Sequence, residues 1–210
     1  MKAKSINRKE LIKEVSNSIS HGIGVVLGIV ALVFLMIKAQ TKIEYLAYAI
    51  YGASIIVLFL ASTLYHSFSF TKLKTFFRKL DHSSIFILIA GTYTPYILLG
   101  IGGFKGTIIS IIIWAIGIFG IVIKLGFFEW SRKIDLFLYL AMGWICVFFV
   151  RDIYSHIGLK GLLLLLGGGI SYSIGVIFYV KKNMYLSHFI WHIFVLGASV
   201  LMFLSVYKYV

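Results

Sequence analysis

Seven apolar stretches recur along the chain, at about residues 17–39, 44–67, 80–99, 107–125, 134–150, 159–180 and 187–207. Each approaches the roughly 20 residues that a helix needs to cross a hydrocarbon core of about 30 Å. In lipid every backbone N–H and C=O must be satisfied within the spanning structure, and a helix does this alone. The expected fold is an all-α integral membrane protein: a bundle of seven transmembrane helices over residues 17–210, preceded by a basic tail at 1–16. Composition agrees, with 60% hydrophobic and only 13% charged residues, against about 25% charged in a soluble domain. A basic tail before an apolar run is also how a signal peptide begins. The run at 18–39 is too long for the apolar region of one and has no evident cleavage site, so it is expected to be a retained first span.

The net charge of +13 does not indicate a nucleic-acid partner, because the cationic side chains sit in the loops between apolar runs. There they suit anionic lipid headgroups and control of topology. Fourteen of the 20 Lys and Arg residues fall on one side of a seven-span layout: the tail and the loops at 68–79, 124–133 and 181–182. That asymmetry places the amino terminus in the cytoplasm and the carboxy terminus outside. The single cysteine, Cys146, lies in an apolar run and reads as a packing residue. Pro95 should kink or end the third span. Gly167, Gly168, Gly169 and Gly175 should allow close helix contact in the sixth. Tyr45, Tyr48, Trp130 and Tyr207 read as interfacial aromatics.

Ionisable side chains inside a membrane are costly and mark functional sites. Here they collect on one side. Ser62 and His66 close the second span, Asp81 and His82 open the third, and His188 and His192 open the seventh. His21 follows Glu14 and Asn17 at the entrance of the first. In the expected topology five of the six histidines thus share the cytoplasmic side, and only His156 falls in an outer loop. His188 and His192 are four residues apart, so their rings leave one helix face and can bind one metal ion. His66 can add a third nitrogen, and three imidazoles with one open position is the pattern of a catalytic zinc centre. Asp81 could then act as base on a water molecule, with Ser62 hydrogen-bonding nearby. Two other readings compete. Asp81 could cap the third helix or pair with Arg78 or Lys79. Ser62, His66 and Asp81 could form a hydrolytic triad, although this leaves the HxxxH pair unexplained. Asn17 and His21 read as polar packing near the site.

Five segments together resemble the bacterial haemolysin III proteins of the progestin and adipoQ receptor superfamily. They are E14-V-S-N17-S-I-S-H21-G, S62-T-L-Y-H66-S, L80-D81-H82-S-S-I-F-I-L-I-A-G-T-Y-T-P95, Y139-L-A-M-G-W144 and H188-F-I-W-H192. The resemblance implies a seven-helix bundle with its amino terminus inside. It implies a zinc ion near the cytoplasmic side, held by the residues that here are His66, His188 and His192, with Asp81 and Ser62 at the same site. Eukaryotic relatives are similar to alkaline ceramidases. The bacterial branch is named for haemolysis and linked to pore formation and membrane lipid homeostasis. The chain is shorter than the receptors, and a hormone-receptor role is not expected.

Three functions are therefore carried forward. The first is a zinc-dependent hydrolase of a lipid amide or ester in a bacterial plasma membrane, with membrane lipids as its partners. The second is a membrane-permeabilising protein. The third is a sensor of membrane state with structural zinc.

Overall fold

A computed structural model of the chain describes residues 7–127, 132–181 and 184–210. Among these residues the structure is entirely helical. The elements are α1 (Arg8–Lys38), α2 (Lys42–Ser67), α3 (Lys74–Pro95), α4 (Gly103–Val122), α5 (Arg132–Trp144), α6 (Val150–Val180) and α7 (Ser187–Tyr209). Six helical runs are long and apolar enough to cross a membrane: Arg8–Lys38, Lys42–Ser67, Lys74–Ile101, Gly103–Gly126, Ile134–Val180 and Ser187–Tyr209. This is a multi-pass membrane architecture. The first run begins at Arg8 and not at residue 17, so the described part of the basic tail from Arg8 onward continues the helix. Residues 1–6, Trp130 and Lys182 lie outside the described residues.

Helix ends follow local chemistry. Asn7 caps α1, its side chain accepting from the Lys9 N–H at 3.0 Å. Thr41 and Glu44 form a capping box on α2. The Thr41 hydroxyl accepts from the Glu44 N–H at 3.3 Å, and the Glu44 carboxylate accepts from the Thr41 N–H at 2.9 Å. Two of the four orphan N–H groups of that helix end are thereby satisfied. Pro95 ends regular α-helix in α3, as expected, and the chain continues as a π-helical turn over Tyr96–Ile101.

The 47-residue run Ile134–Val180 corresponds to about 70 Å of helix at 1.5 Å per residue, more than twice the hydrocarbon core. It is not one rod. A 3₁₀ turn at Ile145–Phe149 follows α5, and α6 is broken at Gly158, with φ 63° and ψ −175°. Gly102, which separates the end of α3 from α4, has φ 63° and ψ −176°. Only glycine adopts that region at low cost, so the chain uses one backbone device at both breaks. The two breaks lie together. A Cβ on Gly100 would sit 3.4 Å from Cδ2 of His156, and Lys105 donates to both oxygens of Asp152 at 2.9 Å. The 3₁₀ turn is pinned from α3: the Tyr93 hydroxyl faces the carbonyls of Met142 at 3.0 Å and Gly143 at 2.7 Å and accepts from the Cys146 N–H at 2.9 Å.

Neighbouring helices meet through small residues, where backbones can approach. A Cβ on Gly24 would lie 2.4 Å from the Phe59 ring, and one on Gly28 would lie 3.0 Å from Ile55, so α1 seats on α2. Of the four glycines expected to serve this purpose in α6, Gly168 and Gly175 do. A Cβ would meet Met202 at 2.7 Å in the first case and Trp191 at 2.7 Å in the second, both on α7. Tyr48 departs from the interfacial role read for it. It is 1% exposed, because Lys38 extends over its ring and that of Tyr207, tying α1, α2 and α7 at one end.

Candidate metal centre

The packing of α1 against α2 and α7 brings His66, the penultimate residue of α2, to His188 and His192 in the first turns of α7. One ring nitrogen from each lies within 4.8 Å of the others, close enough to hold one metal ion. The Nε2 atoms of His66 and His188 are 3.3 Å apart. A tetrahedral ion with bonds of 2.0–2.1 Å to nitrogen separates its ligands by about 3.3–3.4 Å.

Hydrogen bonds on the far side of the rings support the same use. Glu14 Oε2 lies 2.6 Å from His66 Nδ1. A carboxylate accepts, so Nδ1 carries the proton and Nε2 keeps its lone pair. His192 Nδ1 lies 3.2 Å from the Asn17 carbonyl oxygen and 3.0 Å from the Ser20 hydroxyl. A carbonyl can only accept, so here too Nδ1 is the donor and Nε2 is left as the ligating atom. Partners that fix tautomer and ring orientation in this way are characteristic of metal-binding histidines. The residues present fit a three-imidazole metal centre.

Helix α1 contributes this outer layer, and reading the sequence for ligands alone missed it. The signal was present: Glu14, Asn17 and His21 are three and four residues apart and so recur on one helix face. Asn17 is buried, with its amide nitrogen 3.5 Å from His66 Nδ1. His21 is not among the three histidines whose nitrogens converge.

Asp81 lies two turns into α3, which starts at Lys74, and so does not cap that helix. The Ser62 hydroxyl hydrogen-bonds its carboxylate, while Lys79 instead donates to the Leu125 carbonyl at 3.1 Å. The serine-triad alternative does not form, since the His66 ring is held between Glu14 and His188 and Ser62 pairs with the acid. His82 lines the same cavity as Asp81, and its carbonyl accepts from the Tyr139 hydroxyl at 2.9 Å.

That cavity is long. Its walls include His21, Ser62, Asp81, His188 and His192 at one end and Tyr96, Tyr172 and Met202 towards the other. Between Asp81 and Tyr96 it follows about 22 Å of α3, at 1.5 Å per residue, past Ile85, Leu88 and Ile89. A three-histidine cluster able to hold a metal thus sits at the end of an apolar cavity inside a multi-pass helical bundle.

These features define a class: polytopic α-helical membrane proteins with a three-histidine cluster, able to hold a metal ion, at one end of the bundle. The chain belongs to the haemolysin-III-related family, which matches residues 9–203. It is 42% identical to the "Hemolysin-3 homolog" of Bacillus subtilis (strain 168) over 94% of both chains. It is also 42% identical to "Hemolysin-3" of Bacillus cereus, over 94% of this chain and 92% of that one. At greater distance, the human "Monocyte to macrophage differentiation factor" is 28% identical over 92% of this chain and 83% of its own length. The superfamily resemblance drawn from the motifs therefore holds over almost the whole sequence.

Proposed function

We propose that the protein is a zinc-dependent hydrolase of lipid amides or esters, acting inside a bacterial plasma membrane and contributing to lipid homeostasis. The observation that carries this reading is the convergence of three imidazoles at the end of a long apolar cavity that also contains Asp81 and Ser62. The membrane itself is taken to be crossed seven times, because the run Ile134–Val180 breaks at Gly158 and each part is long enough for one crossing. The loop charges then put the amino terminus and the metal centre on the cytoplasmic side.

His66, His188 and His192 would hold the ion. A zinc ion bound there supplies Lewis acidity, which raises the acidity of water and polarises a carbonyl. The chain's own residues do the rest. Glu14, Asn17 and Ser20 hold the imidazoles with their Nε2 atoms inward. Asp81 is the base that takes a proton from the attacking water, and the Ser62 hydroxyl orients its carboxylate. The apolar walls accept the lipid tail and keep bulk water from the reacting carbonyl. One leaflet's hydrocarbon is about 15 Å deep, so a cavity of about 22 Å along α3 suits an acyl chain.

The test is elemental analysis of purified protein beside His188→Ala and His192→Ala, followed by turnover of a long-chain N-acyl amide. About one zinc per chain, lost together with turnover in both variants, is the expected result. Turnover that survives loss of the metal would refute the proposal. The name of the Bacillus cereus relative, Hemolysin-3, favours a second reading, membrane lysis. Under that reading the protein releases dye from sealed liposomes whether or not metal is present.

A further inference from the structure

The side of α3 that lines the cavity continues past the metal centre. Asp81, Ile85, Leu88, Ile89, Thr92 and Tyr96 all line the cavity. At about 100° of turn per residue they fall within an arc of about 100° on the helix surface. Followed towards the start of α3, the same arc takes in Arg78 and Lys74, at about 60° and 20° from Asp81. Arg78 precedes Asp81 by about 4.5 Å along the axis and Lys74 by about 10.5 Å. Both side chains are exposed. The charge of Arg78 is felt at the Tyr65 hydroxyl, as are those of Asp81 and Glu14, and Tyr65 adjoins His66. The charge of Lys74 is felt at Glu14, the partner of His66.

Topology accounts for cations on this side of the membrane, but not for their place on this face of α3. Nor do the nearby acids account for it. Glu14 is taken by His66 and Asp81 by Ser62. Among the described residues neither Arg78 nor Lys74 forms an ion pair. Lys79, at about 160° and outside the arc, donates to the Leu125 carbonyl instead. One face of α3 thus presents, in order, apolar side chains that suit a tail, an acid beside the histidine cluster, and then a guanidinium followed by an ammonium. A guanidinium takes a phosphate through two parallel N–H bonds. In an acyl lipid with a phosphorylated headgroup, the phosphate follows the carbonyl by a few bonds, on the side away from the tail. The order of groups in such a lipid is the order of side chains on α3.

We infer that Arg78, with Lys74 beyond it, binds the headgroup phosphate of the lipid whose tail lies along α3, so that the substrate is a phosphorylated acyl lipid. This assignment rests on the lipid-hydrolase reading and names the substrate class for it.

The experiment uses the full-length zinc-loaded protein in uncharged detergent, as wild type, Arg78→Gln, Arg78→Lys and Lys72→Gln. Lys72 is an exposed cation that lies before α3 begins, so its variant loses the same charge from the same side of the membrane. Zinc content and equilibrium binding of two fluorescent probes are measured. One probe is a long-chain N-acyl ethanolamine and the other is its phosphate ester. Wild type should bind the phosphate ester about tenfold more tightly, the scale of a charge-assisted bond partly screened by water. Arg78→Gln should keep its zinc and its affinity for the parent amide and lose the preference for the ester. Arg78→Lys should recover part of that preference, and Lys72→Gln should retain it. Arg78→Gln with the preference intact would overturn the assignment and leave the hydrolase reading standing. The same loss in Lys72→Gln would also overturn it, because the positive surface as a whole would then be the cause. Loss of zinc in Arg78→Gln would overturn it by making Arg78 a support of the metal centre. Displacement of the ester by equimolar inorganic phosphate would overturn the lipid assignment in favour of a site for the free anion. A wild-type protein that binds neither probe would overturn the hydrolase reading, and this assignment with it.

Discussion

Removing the Glu14 carboxylate should weaken metal binding although Glu14 touches no metal. Its Oε2 lies 2.6 Å from His66 Nδ1, a short contact of the charge-assisted kind. The His66 side chain is 3% exposed and that of Glu14 19%, so little water is available to replace the bond. With the carboxylate gone, the remaining neighbour of Nδ1 is the Asn17 amide at 3.5 Å. Nothing then compels the tautomer with a bare Nε2, and the ring is free to turn away from His188. Loss of such an orienting partner typically costs 10–100-fold in metal affinity, or about 1.4–2.7 kcal/mol. Burial and the short contact put Glu14→Ala towards the upper end. Glu14→Gln keeps an acceptor oxygen and should lose about tenfold or less. Competition for zinc with a chromophoric chelator in detergent measures both affinities. The visible spectrum of the cobalt-substituted protein reports whether the nitrogen ligand set is still complete. Glu14→Ala with wild-type zinc affinity would refute the reasoning, because His66 would then be oriented by packing alone.

Two further substitutions test the architecture that holds the centre. Tyr93→Phe removes the hydroxyl that serves the Met142 and Gly143 carbonyls and the Cys146 N–H. It should cost about 1–3 kcal/mol, seen as a lower unfolding temperature with zinc stoichiometry unchanged. Gly175→Leu drives a side chain into Trp191, where a Cβ alone would already sit at 2.7 Å. Overpacking of this kind costs about 1–3 kcal/mol, and because Trp191 adjoins His192 the variant should also lose zinc affinity. Gly143→Leu, where a Cβ meets nothing within 4 Å, is the matched control and should change neither quantity.

Much of the centre was legible before any coordinates. Helical periodicity puts His188 and His192 on one face, and alternation of apolar runs carries His66, Asp81 and His21 to the same side of the membrane. What could not be read was the partnership around each ring. Glu14 and Ser20 lie far from His66 and His192 in sequence, and their contacts depend on how α1 is rotated about its axis. That rotation is set by Gly24 and Gly28 closing on Phe59 and Ile55, a packing outcome and not a local propensity. The fate of Asp81 was undecided for a similar reason. Its neighbours in sequence, Arg78 and Lys79, offered an ion pair, while Ser62 on the adjacent helix supplies the hydrogen bond that forms.

By itself the sequence determined the all-helical membrane class, the family, the three histidines that converge and the end of the bundle at which they gather. All of these follow from composition, spacing and the cost of polar groups in lipid, which act along the chain. Only the tertiary structure decided which ring nitrogen of His66 and of His192 faces inward, and that Ser62 pairs with Asp81. Those facts depend on distances of a few ångströms between helices, and such distances come from the close approach of backbones at small residues.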